Sequence, residues 1–401
     1  MTRLALLLLL ASTAAAADWP GFLGPHGTGV ADEPIARAWP APPKEVWRKE
    51  AGVSWAAPAI AHGKLVYVHR EGESEVADCL DAATGKSLWT ASEPTPYEDA
   101  YGAGSGPRAT PLIAGDVVYT LGVTARLTAR ELATGKTLWS RDLTSDFHPE
   151  PRDLFFGIGM SPIICDDALL LGIGGASAGI VGLAPATGKT LWTATSDGPS
   201  YSTPLALPGK LAVFLTRAGV VALEPASGAV RWALPFRSRQ MASVNAATPV
   251  LVAPGQVFVT SAYDTGGLLL ALDGAKPREV WHTDAMGCHF ATPIASGGFL
   301  YGFDGRYDSA DSRLACVDLA TGKLAWAAPE VTKGNLIRAG DRWLIWAEGR
   351  LTLADLTPKG FTALASADLL PGPTWTPPAL ADGRLYVKNE RTLICLALPS
   401  I

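Results

Sequence analysis

One phrase recurs along the chain and limits what it can fold into. It reads CLDAATGKSLW (79–89), ARELATGKTLW (129–139), GLAPATGKTLW (182–192), ALEPASGAVRW (222–232), ALDGAKPREVW (271–281) and CVDLATGKLAW (316–326), and each copy ends in tryptophan ten residues after its first residue. A second phrase precedes each copy: a small residue and usually Pro, a few apolar residues, a turn residue, then an alternating apolar run. Its turn residues are Gly63, Gly115, Asp166, Gly209, Gly255, Gly297, Gly340 and Gly383, eight positions separated by 42 to 52 residues. Short alternating strands broken by Gly or Asp turns, at a period in the forties, are the signature of propeller blades.

Within a blade, the pattern predicts an inner strand after the small-Pro pair, a hairpin, a second strand, a third strand ending in the Asp-x-x-Thr-Gly-Lys turn, and an outer strand carrying Trp. Pro is tolerated at the start of the inner strand because that N–H need not join a ladder. Asp and Thr can hydrogen-bond the local backbone, and Gly accepts the positive φ of a tight connection. Trp89, Trp139, Trp192, Trp232, Trp281 and Trp326 are then rings packed between adjacent blades, their indole N–H groups bonded across the gap. The seventh copy, LTLADLTPKGFTALA, lacks the Trp and the phrase before it, KGNLIRAGDRWLIW, lacks the Pro, and the eighth stops at TLICLAL without an outer strand. EVWRKE (45–50) reads as an outer strand whose three predecessors are missing. Pairing it with 392–398 would close the ring and remove the open edges. The expectation is an all-β chain: a single eight-bladed propeller of four-stranded antiparallel blades over 45–401, preceded by a leader (18–44).

Residues 1–17, MTRLALLLLLASTAAAA, combine Arg3, a short apolar stretch and terminal small residues, the pattern of a signal peptide cut after Ala17. That predicts export, to the periplasm or beyond. The segment contains no Cys for a lipid, so no membrane anchor is expected. A net charge of -5, with no Lys/Arg run, argues against nucleic acid. Export also implies oxidising surroundings for Cys79, Cys165, Cys288, Cys316 and Cys395. No C-x-x-C occurs, which argues against a zinc ribbon or a thioredoxin-like site. Cys79, Cys316 and Cys395 share one repeat position that is Ala or Gly in other blades. Equivalent positions on different blades lie beyond disulfide reach, so buried free thiols are expected.

The Trp-terminated phrase, closest to A-x-D-x-x-x-G-K-x-x-W at 79–89, 129–139 and 316–326, resembles that of the quinoprotein-like, PQQ-binding-like repeat propellers. This family is related to the BamB-type outer-membrane assembly propellers, and the resemblance covers about residues 45–398. It implies two readings of function. One is a pyrroloquinoline quinone (PQQ) and calcium-dependent alcohol dehydrogenase. Such enzymes carry an adjacent Cys-Cys pair and a Glu/Asn/Asp calcium set with a catalytic Asp; this sequence has no Cys-Cys. The other reading, preferred here, is a non-catalytic binding or scaffold module for a protein, peptide or surface polymer, monomeric and without a cofactor.

Residues just before each inner strand should line one channel mouth. Those that break the small-residue pattern are Trp55, Arg108, Met160, Tyr201, Asn245, His289, Phe290, Lys333 and Trp375. Of these, Trp55, Arg108, Tyr201, Asn245, His289, Phe290 and Trp375 form the candidate ligand site, suited to a flat or anionic ligand. The alternative is that the aromatic rings plug the channel. FDGRYDSADSR in the sixth blade carries Asp304, Asp308 and Asp311, an oxygen-rich spacing that could hold calcium or be a solvated hairpin.

Overall fold

Alternating apolar runs separated by tight turns make each repeat a small antiparallel sheet. The computed structural model describes residues 17–102, 104–240 and 243–399; the proposed signal peptide, apart from Ala17, lies outside them. The first blade consists of Ala59–Ala61, Lys64–Glu71, Ser74–Asp81 and Ser87–Pro94, hydrogen-bonded in that order. Six further blades repeat this consecutive order. Inner strands of neighbouring blades touch, Ala59–Ala61 against Leu112–Ala114 and Val250–Ala253 against both Leu205–Leu207 and Ile294–Ser296, and Ala379–Ala381 of the eighth blade returns to Ala59–Ala61 of the first.

The ring closes as the repeat pattern requires. Lys44–Glu50 pairs antiparallel with Thr392–Ala397, Lys44 opposite Ala397 and Glu50 opposite Thr392. The eighth blade thus takes three strands from one part of the chain and its outer strand from another, leaving no open seam.

The tryptophans join the blades, and their register explains the small residue that begins five of the six phrases; in the fifth blade Trp281 lies opposite Leu269 instead. Cys79 lies opposite Trp89, Ala129 opposite Trp139, Gly182 opposite Trp192, Ala222 opposite Trp232, Cys316 opposite Trp326 and Cys395 opposite Trp47. A side chain there competes with the ring for space: a Cβ on Gly182 would fall 2.2 Å from Trp192. A bulge beside each of these pairs turns the outer strand. The indole N–H then donates to the next blade, from Trp47 to Ala82 O (3.0 Å), Trp89 to Leu132 O (2.9 Å), Trp139 to Pro185 O (2.9 Å) and Trp326 to Thr357 O (2.8 Å). The turn glycine is therefore needed twice. Gly135 has φ +73, and a Cβ on it would meet the Trp89 ring at 2.6 Å. All five cysteines are free, and four of them are buried. Burial pushes the Cys79 and Cys395 thiols up to about 12.

The leader does more than precede the ring. Trp19, 1% exposed, exchanges two 2.8 Å backbone hydrogen bonds with Ile60 of the first inner strand. Pro20 O accepts from Ile113 N–H of the second inner strand, and Val30–Ala31 pairs in parallel with Gly334–Ala339 of the seventh. Glu33 accepts the N–H of Gly383, a hairpin turn of the eighth blade. Inner strands present unpaired backbone to the channel, and the leader supplies the partners. It crosses the channel at the hairpin end of these strands, away from the candidate mouth. Among the described residues no helix is long and apolar enough to cross a membrane.

Candidate functional site

Every inner strand runs away from the same mouth, so the residues before these strands gather there. They surround a cavity of about 510 Å³ with Phe22 of the leader contributing to its wall. A volume of this order suits a small ligand or a chain end. Trp55, Arg108, Tyr201, His289, Phe290 and Trp375 all border it.

Three other mouth candidates are placed elsewhere. Asn245 is 4% exposed, and its side-chain amide donates to Thr216 O (2.8 Å) and Phe236 O (3.3 Å), while its backbone carbonyl accepts from Tyr201 N–H. Its polar atoms tie loops together and do not reach the cavity. Met160 is buried, its thioether accepting the Gly172 N–H. Lys333, whose N–H donates to Ser312, is no part of the cavity wall.

Two aromatic groups flank the space. Trp55 and Trp375 stack across the seam between the first and eighth blades, with centroids 4.6 Å apart and planes 26° apart. Phe290 lies 5.8 Å from Trp375 and stacks on His289 at 3.8 Å. On the other side Phe156 approaches Tyr201 at 6.2 Å and the exposed Tyr101 at 5.4 Å. The rings wall the cavity and leave its centre open, so they do not plug it.

The polar groups are fixed by their neighbours. His289 Nδ1 faces the backbone N–H of Tyr307 at 3.3 Å and can only accept it, which places the neutral ring's hydrogen on Nε2, donated to Tyr263 Oη at 2.7 Å. Burial pushes the imidazole down to about 4; the neighbouring Asp308 opposes that shift and Arg306 adds to it. The Arg306 guanidinium stands 4.5 Å over the Tyr263 ring and is held in a two-point pair by Asp308. Arg108 donates to Gly106 O (2.7 Å) and Gly104 O (2.9 Å), and its charge acts on the Glu75 carboxylate. Burial raises the Tyr201 phenol, and the backbone N–H of Phe156 faces its oxygen.

The three aspartates do not converge. Asp304 accepts from the Gly287 N–H (2.8 Å) and pairs with Arg313 (3.1 Å), Asp308 pairs with Arg306, and Asp311 accepts from Ser309. Among the described residues no three His, Cys, Asp or Glu side chains come together as a metal site. Calcium takes six to eight oxygens. Among the described residues the one carboxylate on the cavity wall, Asp308, is paired with Arg306. The residues present do not fit a calcium and quinone pair.

The segment 303–313, read from sequence for its acids, instead brings Arg306 and Tyr307 to the site. Tyr263 arrives on another hairpin, Tyr101 and Phe156 on inter-blade loops, and Phe22 from the leader. None of these positions repeats from blade to blade. The only sequence signal for the loop residues is the added length between blades at 95–111 and 143–162.

A family profile described as "Outer membrane protein assembly factor BamB" matches residues 38–147 and 72–328. A curated relative of that description from Burkholderia pseudomallei is 24% identical over 272 residues; the alignment covers 65% of this chain and 65% of the relative's length. The crystal structure of BamB from Moraxella catarrhalis superposes with a TM-score of 0.64 at 18% identity, covering 89% of this chain and 98% of that one. A europium-containing methanol dehydrogenase gives 0.69 at 13% identity, covering 95% and 98%, and a quinohemoprotein alcohol dehydrogenase from Comamonas testosteroni gives 0.65 at 14%, covering 98% and 82%. At these identities the solved structures speak for the fold alone.

Proposed function

The chain belongs to the family described as outer membrane protein assembly factor BamB, and on that premise we propose that it is an exported, non-catalytic propeller that binds a protein or peptide partner at the cavity mouth. The observation that carries the reading is the cavity itself: two aromatic walls and fixed hydrogen-bond donors around an open centre, continuous with exposed Tyr101 at the rim. Aromatic and Arg side chains at the centre of a concave surface are the groups that dominate binding energy in protein interfaces. The same wall has no carboxylate free to take a substrate proton, so it supports binding and not alcohol oxidation. Export rests on the signal-peptide pattern of residues 1–17.

The test is cross-linking or pull-down from an exported fraction with the mature chain and with Trp55→Ala/Trp375→Ala. One specific partner, retained by the parent and lost by a double variant with unchanged circular dichroism, is the expected result. Equal capture by both would remove the mouth from the function. Reduction of a dye by the protein supplied with PQQ, calcium and an alcohol would replace this reading with the dehydrogenase.

A further inference from the structure

We infer that the cavity takes a carboxylate carried on a flat apolar body, entering end-on; this deepens the binding role proposed above and rests on it. The first observation is that the space is closed on one side. The leader crosses the channel at its hairpin end through Trp19, Pro20 and Val30–Ala31, and its Phe22 borders the cavity. A polymer cannot thread such a channel. Its occupant is a small molecule or the end of a chain.

The second observation is the polarity of the wall. Tyr263 Oη accepts the Nε2–H of His289, because His289 Nδ1 is committed to accepting from Tyr307. The Tyr263 hydroxyl hydrogen therefore cannot point at the imidazole and is left to donate toward the cavity that Tyr263 borders. Tyr201 is arranged alike, with the Phe156 N–H facing its oxygen. Arg108 adds a guanidinium pinned by two carbonyls; the Glu75 carboxylate acts on it through charge without a direct ion pair, while the other cation, Arg306, is held by Asp308 at contact distance. Arg108 and Tyr201 are neighbours because the residue between them is Gly159. A Cβ there would fall 2.7 Å from the Tyr201 ring and 3.1 Å from Arg108 Cβ.

The wall thus presents donors and one guanidinium without a direct carboxylate contact, which call for an acceptor-rich, negatively charged group. The stacked Trp55–Trp375 pair and Phe290 supply the surface for a planar body. A carboxylate on an aromatic body satisfies both demands. It can come from a free aromatic acid or from the terminal aromatic residue of a polypeptide.

The experiment uses the mature chain and four probes: naphthoate, naphthamide, N-acetylphenylalaninate and its amide, read by quenching of tryptophan fluorescence and by calorimetry. Each acid should bind at least ten-fold tighter than its amide, with Arg108→Gln and the isosteric Tyr263→Phe each reducing that preference at least three-fold. The tighter of the two acids identifies the source. Equal binding of acid and amide, or a preference that both variants retain, would overturn the inference. Acid against amide is compared on the parent protein, so that comparison does not depend on the variants folding. Loss of a protein partner in Trp55→Ala/Trp375→Ala, together with no preference for acids, would overturn the ligand class while leaving the binding role intact.

Discussion

Removing the Asp78 carboxylate should weaken the propeller where its ring closes. Asp78 is 4% exposed, and its Oδ2 accepts from Tyr67 O–H (2.8 Å) and His69 Nε2–H (3.1 Å), its Oδ1 from Thr90 O–H. Lys49, on the closing strand Lys44–Glu50, lies 3.5 Å away. The network thus ties the first blade to the strand that completes the eighth. In Asp78→Ala two buried donors, Tyr67 and His69, and the exposed Thr90 lose their acceptor, and breaking a buried charged network in this way costs about 3–5 kcal/mol. With roughly 2.1 cal/mol/K of unfolding entropy per residue, a chain of 401 residues loses about 1.2 °C per kcal/mol, so the melting temperature should fall by about 4–6 °C. The pH dependence gives a second check. Burial alone would raise the Asp78 carboxyl, but hydrogen bonds from His69, Thr90 and Tyr67 and the charge of Lys49 outweigh it and hold it well below the usual carboxylate range. A depressed folded value gives stability that is present above the unfolded value near 3.9 and is lost as pH falls through the folded one. Scanning calorimetry should therefore find a constant gap between parent and variant from about pH 5 to 8, narrowing below about pH 4. A drop under about 1 °C at neutral pH, or a gap still constant at about pH 3, would refute the reasoning.

Two further expectations concern the turns and the site. Gly135→Ala meets both φ +73 and the Trp89 ring at 2.6 Å, whereas Gly63→Ala meets φ +69 with nothing within 4 Å; the first should cost about 2–4 kcal/mol and the second about 1 kcal/mol by urea titration, and equal costs would show that the ring contact contributes nothing. His289 is buried neutral with its imidazole down near 4, so the unfolded chain binds its proton first and the parent loses stability as pH falls from about 6.5 toward 4. His289→Gln should flatten the melting temperature over that window, and an unchanged slope would contradict the assigned tautomer and burial.

How much of this was legible in the sequence depends on whether a residue repeats. The Trp phrase, its glycine and the small residue opposite the ring recur in most blades because each makes the same local contact, so blade number, strand order and closure by 45–50 could be read directly. The mouth was legible only where a large side chain replaced a small one before an inner strand, which located Trp55, Arg108, Tyr201, His289, Phe290 and Trp375. The same rule also selected Asn245 and Met160, because size in the sequence does not say whether a side chain turns to the cavity or into the loop packing beneath it.

By itself, then, the sequence determined the architecture, since a repeated interface needs a repeated pattern and patterns survive in one dimension. The tertiary structure alone decided how the cavity is completed. Phe22, Tyr101, Tyr263 and Arg306 meet from the leader, an inter-blade loop and two hairpins far apart in the chain. Their roles come from the contacts made there: Asp308 neutralises Arg306, Tyr307 sets the hydrogen on His289, and His289 frees the hydroxyl of Tyr263. Such relations depend on orientation and distance between elements that share no local pattern.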